Sequence, residues 1–167
     1  AKAGEIELFF ADAAHFVMQP FLGYLYSLAV RYIKVSSGRQ RFSVLGALNA
    51  VTKEVVMITD HGYINALSVC ELLDKLHEQR RRLLQVVIMD NARYQRCALV
   101  TEKAFELGIQ IVFLPPYSPN LNLIERLWKF VKKKVLYNQY YPKYEQFHQA
   151  ISKCLKQTDT TYKEDLD

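Results

Sequence analysis

Ile6, Leu8 and Phe10 alternate with Glu7, Phe9 and Ala11, a period of two that predicts a strand with one face toward a core. Asp12 continues that face and is expected to close the strand, either as a functional carboxylate or as an outward-turned end. The following AHFVMQPFLG, with Pro20 and Gly23, reads as loop. Two β-rich runs, 24–35 and 42–48, flank the turn composition Ser36-Ser37-Gly38 and are expected to pair as a hairpin. After the polar bend at 49–54, a further strand is predicted over 55–59. The first third of the chain therefore reads as an antiparallel meander.

Beyond Asp60-His61-Gly62 the period changes. Residues 65–82 predict a helix with Leu67, Cys70, Leu73, Leu76 and Leu83 on its apolar stripe. Arg80, Arg81 and Arg82 suit the negative end of its dipole. Val86 to Met89 is continuously apolar, as in a strand buried on both faces, and Asp90 stands at its end. A helix over 94–107, capped by Gly108, and a last strand over 109–114 complete a strand-helix-strand-helix alternation. Such alternation implies parallel pairing with right-handed crossovers. The fold class is α/β, a mixed sheet of antiparallel meander plus parallel strands, flanked by helices. Ligands in such sheets gather at the carboxyl ends of the parallel strands, where connectivity reverses. Asp12 and Asp90 are both expected there.

The stretch 112–135, VFLPPYSPNLNLIERLWKFVKKKV, carries a short apolar run into a proline-punctuated loop and then a helix. Asn122 reads as its N-cap and Glu125 as the capping-box acid three residues on, with Lys129 in reach as an i+4 partner. On a wheel, Leu123, Ile124, Leu127, Val131 and Val135 share one face and Trp128 lies at its edge. Glu125 falls just beyond, with Lys129 and Lys132 on its side. From that rim an acid can point at strand ends while the apolar face packs on the sheet.

Composition narrows the class. The chain of 167 residues, 50% hydrophobic and 13% aromatic, is sized for one domain with a real core. The longest tempting apolar stretch, 16–30, is interrupted by Gln19, Pro20 and Gly23 and falls short of the roughly 20 residues a spanning helix needs. No secretory signal is visible, so a soluble, cytoplasmic protein is expected, with no membrane partner. Cys70, Cys97 and Cys154 are far apart and fit reduced thiols; no CxxC or His/Cys cluster points to zinc. The net charge of +5 is unevenly spread. Arg31, Lys34, Arg39 and Arg41 cluster without an acid, and residues 125–157 hold eight Lys/Arg against Glu125 and Glu145. That asymmetry favours a polyanionic partner, although charge alone fits a solvated lysine surface equally well.

Three blocks, FFADAAHF, VVIMDNARYQRC and FLPPYSPNLNLIERLWKFVK, resemble in order and spacing the catalytic blocks of DDE transposases, in particular the bacterial insertion-sequence branch related to mariner elements. SSGRQRFSVLGALN resembles the linking strands of that branch, and 34 residues separate Asp90 from Glu125. The resemblance implies a ribonuclease H-like fold with a five-stranded mixed sheet, Asp12 on the first strand, Asp90 after the fourth and Glu125 on a late helix. A catalytic domain is then expected over 1–155, followed by a polar C-terminal tail over 156–167 that is a candidate for disorder. No segment here matches the N-terminal DNA-recognition domain usual in the family. Ala13 stands where the family often has a second acid.

The chemistry so implied is DNA cleavage by water and strand transfer by the freed 3′-hydroxyl. Both steps are in-line displacements at phosphorus, in which two divalent ions about 3.5–4 Å apart stabilise the attacking and leaving oxygens. Asp12, Asp90 and Glu125 are the expected catalytic and metal-binding residues, with Asp12 shared between ions. Hard oxygen donors suit Mg²⁺, with Mn²⁺ substituting. Arg39, Arg41, Arg93, Lys129, Lys132 and Lys133 are candidates for phosphate contacts, and Asn91 and His15 for flanking groups that orient water. The partners are double-stranded DNA, as transposon ends and target, and a second copy in a homodimer. The competing readings are another ribonuclease H-like nuclease, a domesticated or silent DNA-binding or partner-binding fragment, and an unrelated α/β domain.

Overall fold

The computed structural model describes residues 1, 4–19, 26–30, 32, 40–60, 62–79, 83–115, 118–158 and 160. Strands β1 (Ile6–Val17), β2 (Arg41–Asn49) and β3 (Val55–Asp60) form the meander. Helix α1 (Ala66–Glu78), β4 (Leu84–Met89), α2 (Ala98–Leu107) and β5 (Ile109–Phe113) supply the alternating part. The sheet order is β3-β2-β1-β4-β5, antiparallel from β1 to β3 and parallel across β1, β4 and β5. This is the mixed five-stranded, helix-flanked sheet of the ribonuclease H-like fold.

Alternation along β1 divides the core in two. Ala14 and Phe16 face α3 (Ile124–Val131) and α4 (Tyr144–Lys156), together with Phe42, Val44 and Leu48 of β2. Phe9, Ala11, Leu45 and Ala47 face α1 and α2. The sheet is thus the middle of three layers, each face buried by a helix pair, at about 1.5–3 kcal/mol for each large side chain removed from water.

Local chemistry sets the ends. Asn65 Oδ1 accepts from the Leu67 and Ser68 amides at 2.9 and 3.2 Å, and the Asn65 amide donates to Ser68 Oγ at 3.3 Å, a closed capping box. Gly108 ends α2 in the left-handed region at φ 66°, where a glycine has no Cβ to clash.

Several expectations need correction. β1 does not close at Asp12 but runs to Val17, because Ala14 and Phe16 keep the buried alternation going and pair with β2 down to Val17↔Arg41. The expected 24–35 strand is absent at its described residues, 26–30 and 32. Tyr26, Leu28, Val30 and Tyr32 are exposed there, and β1 itself occupies the place beside β2. On α1 the stripe is Val69, Leu72, Leu73 and Leu76, while Leu67 is 68% exposed. Residues 94–97 form a turn before α2. The arginine triplet 80–82, Arg39 and most of the expected C-terminal tail lie outside the described residues. Thr158, in that tail, is buried, with its hydroxyl donating to the Leu155 carbonyl. No described helix is long and apolar enough to cross a membrane.

Candidate active site

The parallel ladder between β1 and β4 ends at the pair Ala11↔Met89. Asp12 and Asp90 are the next residues on these two neighbouring strands, so the sheet itself sets them side by side. Both fall on the layer side covered by α3. Asp12 stays within β1, paired across to Gly46 of β2.

A 3-10 turn, Pro119–Leu121, leads into α3. Its apolar residues Ile124, Leu127, Trp128 and Val131 are buried against the sheet, which turns partly exposed Glu125 toward the strand ends. Three residues spaced by three then line up on the site side. The Trp128 indole N–H donates to Asp12 Oδ2 at 3.2 Å. Asn122 Nδ2 donates to Asp90 Oδ1 at 3.2 Å and to the Ala11 carbonyl at 3.4 Å. Glu125 lies between them in sequence.

Asn122 is therefore not the helix cap. Leu123 holds that position with no side-chain hydrogen bond, and Asn122 is drawn into the sheet with only 2% of its surface exposed. Trp128 reaches Asp12 because Gly46 has no side chain: a Cβ there would lie 2.8 Å from Trp128 Cη2 and 3.1 Å from Ile124 Cδ1. Phe16, on the part of β1 beyond Asp12, holds the indole edge-on at 6.2 Å between centroids.

Burial pushes the Asp12 carboxyl from its ordinary 3.8 up to about 7. The charges of Asp90 and Glu125 push the same way, while hydrogen bonds from the Ala13 backbone and Trp128 oppose them. The Tyr94 phenol is raised to about 12, first by burial and then by the charge of Asp12, with Asp90 adding to it. Sequence pattern gave Tyr94 and Gly46 no role, read Asn122 as a helix cap and placed Trp128 at the edge of the apolar face. A glycine inside an otherwise apolar strand was the available signal for close approach at Gly46.

The other candidates divide. His15 lies three residues from Asp12 on the strand and so faces the opposite layer, correcting its expected place beside the acids. Its Nδ1 is 2.9 Å from Ser43 Oγ, and since the Ser43 hydroxyl donates to the Gly62 carbonyl at 2.9 Å, the imidazole is the donor. Burial, then Arg41, lowers its pKa. Asn91 and Arg93 are exposed directly after Asp90. Arg41 is at the far end of β2, its guanidinium 5.0 Å from the Tyr63 ring centre. Lys129 and Lys133 are exposed and Lys132 half-buried; Lys132 opens a π-helical turn, Lys132–Leu136, that continues α3.

A model of the DDE superfamily endonucleases matches residues 7–148. The chain belongs to that family. Comparison with curated proteins gave no significant match. Among solved structures, the chain is similar to the mariner Mos1 paired-end complex with Mg, at 13% identity and TM-score 0.66 over 99% of this chain and 52% of that one. The catalytic core domain of BIV integrase gives 17% identity and TM-score 0.58 over 92% and 84%. A simian T-cell lymphotropic virus intasome gives 13% and 0.63 over 92% and 48%. These likenesses are of fold, and the chain spans about half the length of the intasome and Mos1 chains.

Among the described residues, no three His, Cys, Asp or Glu side chains converge closely enough to hold a metal ion as they stand. The donors present nevertheless fit a hard divalent cation. Asp12, Asp90 and Glu125 are all carboxylates, and burial, with the charges of Asp90 and Glu125 adding to it, raises the Asp12 pKa to about 7. Beside Asp90, the Asn122 Oδ1 is a buried acceptor without a partner. Such an atom calls for a donor, for which water around an ion is a physical candidate.

Proposed function

We propose that this chain is a metal-dependent DNA endonuclease and strand transferase of the transposase and integrase type. The observation that supports it best is the placement of Asp12 and Asp90 on adjacent strands, immediately beyond the last parallel pair, with Glu125 close enough to raise the Asp12 pKa. Asp12, Asp90 and Glu125 would hold two Mg²⁺ ions, or Mn²⁺ in their place, which when bound lower the pKa of the attacking water and stabilise the oxygens of an in-line displacement.

The chain's own residues do the rest. Trp128 fixes Asp12 and favours its anionic form through the indole N–H. Asn122 holds Asp90 in place by donating its side-chain amide to Oδ1. Lys129, Lys132, Lys133, Arg93 and Arg41 would neutralise DNA phosphates, which positions the duplex without reading its sequence. Cleavage leaves a 3′-hydroxyl at the same site, which then attacks a target phosphodiester. The reading carries with it a catalytic domain over 1–155, double-stranded DNA as transposon ends and target, a homodimer, and a cytoplasmic place of action.

The competing reading is a DNA-binding relative that does not cut. A cleavage and strand-transfer assay with Mg²⁺ or Mn²⁺ separates the two. Activity in the wild type, lost in Asp12→Ala, Asp90→Ala and Glu125→Ala, supports the enzyme. Near-full activity in any one of the three variants would refute the three-acid mechanism, and binding without cleavage under all conditions favours the second reading.

A further inference from the structure

We infer that Asn122 is the positioning residue that sets the spacing of the three acids, an inference that rests on the proposed metal site. Its three contacts reach the carriers of all three. The side-chain amide donates to Asp90 Oδ1 at 3.2 Å and to the carbonyl of Ala11, the residue before Asp12, at 3.4 Å. Its own carbonyl accepts from the Glu125 amide at 3.1 Å. One residue thus joins β1, the end of β4 and the first turn of α3.

Fold maintenance alone gives no reason for this arrangement. Asn122 is 2% exposed and its Oδ1 has no partner among the described atoms, a condition that costs about 1–3 kcal/mol when left unmet. An apolar side chain would fill the same space without that cost. The amide is the group suited to hold one oxygen of Asp90 while leaving the other free. The orphaned acceptor lacks a donor, and water on an ion bound by the neighbouring acids would supply one. Groups that hold a ligating carboxylate in this manner change metal affinity by about 10- to 100-fold when removed.

The test compares wild type, Asn122→Leu, Asn122→Ala and Asp90→Ala for Mn²⁺ affinity by electron paramagnetic resonance, with thermal unfolding in EDTA to confirm folding. Folded Asn122 variants that bind Mn²⁺ about 10- to 100-fold more weakly support the inference. Affinity within about twofold of wild type in those variants overturns it, provided that Asp90→Ala loses binding. If Asp90→Ala also binds normally, the metal site itself is wrong and the inference falls with it. A second readout needs no variant to fold well. In wild type the Asn122 side-chain amide resonance should move on Mg²⁺ addition with the midpoint of metal binding. An amide that does not respond to a bound ion overturns the positioning role.

Discussion

The indole N–H of Trp128 donates to Asp12 Oδ2 at 3.2 Å, linking the central strand to the helix that carries Glu125. The same ring is 2% exposed and belongs to the core that joins α3 and α4 to the sheet. Packing and acid chemistry therefore share one side chain. Trp128→Phe keeps most of the apolar volume and removes the donor. It should destabilise the protein by about 1–3 kcal/mol through the smaller ring. The Asp12 pKa should rise further, since a hydrogen bond to the anion is lost. Cleavage against pH should then move to higher pH by up to about one unit, whereas an unchanged profile would mean that the indole only packs.

Asp12 also predicts an unusual dependence of stability on pH. Its carboxyl is raised from 3.8 to about 7, so in this window the folded state holds a proton that the unfolded state has released. Stability from this group is complete below pH 4 and is lost as pH rises through 7, by at most about 4 kcal/mol. In EDTA, the part of the melting temperature governed by Asp12 should fall from pH 5 to pH 8. Asp12→Asn should flatten that fall, and Mg²⁺ should stabilise the wild type more at pH 8 than at pH 5. Melting curves for the two proteins, with and without Mg²⁺, check the sign.

Gly46 is the structural condition for the Trp128 contact. In Gly46→Ala the new methyl would meet a rigid, buried ring 2.8 Å away and Ile124 Cδ1 at 3.1 Å. Neither is the loose end of a solvated chain. A cost of about 1–3 kcal/mol is expected, as for other overpacked cores, together with displacement of the indole from Asp12. Because both changes act on one contact, the double variant with Trp128→Phe should lose less activity than the product of the two single losses. Full multiplicativity in a double-mutant cycle would show that the sites are independent.

His15 supplies a contrasting expectation. It shares a strand with Asp12 but faces the other layer, donating to Ser43, which is itself fully buried. His15→Ala should lower stability by about 1 kcal/mol and leave Mg²⁺-dependent cleavage within about twofold of wild type once the folded fraction is accounted for. A loss of 100-fold or more in a folded variant would place His15 in the reaction after all.

The parts legible in the sequence are those whose signal is local. Period-two alternation located β1, an apolar run located β4, and Gly108 marked the end of α2. With these came Asp90 at the end of β4, and Asp12 on β1 although not at its end. The parts that were not legible depend on what lies across space. Pro20 and Gly23 made 14–23 look like loop as a whole, although Ala14 and Phe16 had a core to enter. The α4 sequence YEQFHQAISKCLK is polar enough that its buried Phe147, Ile151, Cys154 and Leu155 become a stripe only once the sheet supplies a surface. Asn122 satisfied the pattern of a helix cap so well that nothing in one dimension distinguished a cap from a residue reaching into the sheet. Trp128 fell at the edge of an ideal wheel, and its depth was set by the missing side chain at Gly46.

The lysines that follow Glu125 are placed to meet a polyanion. Arg126, Lys129 and Lys133 are exposed, whereas the intervening Leu127, Trp128 and Val131 are buried, so the cations occupy the outer side of α3 and its π-helical continuation. If they contact DNA phosphates, each contact removed should lower the slope of log affinity against log salt by roughly 0.9. Lys129→Ala and Lys133→Ala should weaken binding to different DNA sequences alike, because phosphate contacts carry no sequence information. Filter binding or anisotropy on two unrelated duplexes across a salt series measures both effects. An unchanged slope in the double variant would return these lysines to the role of a solvated face.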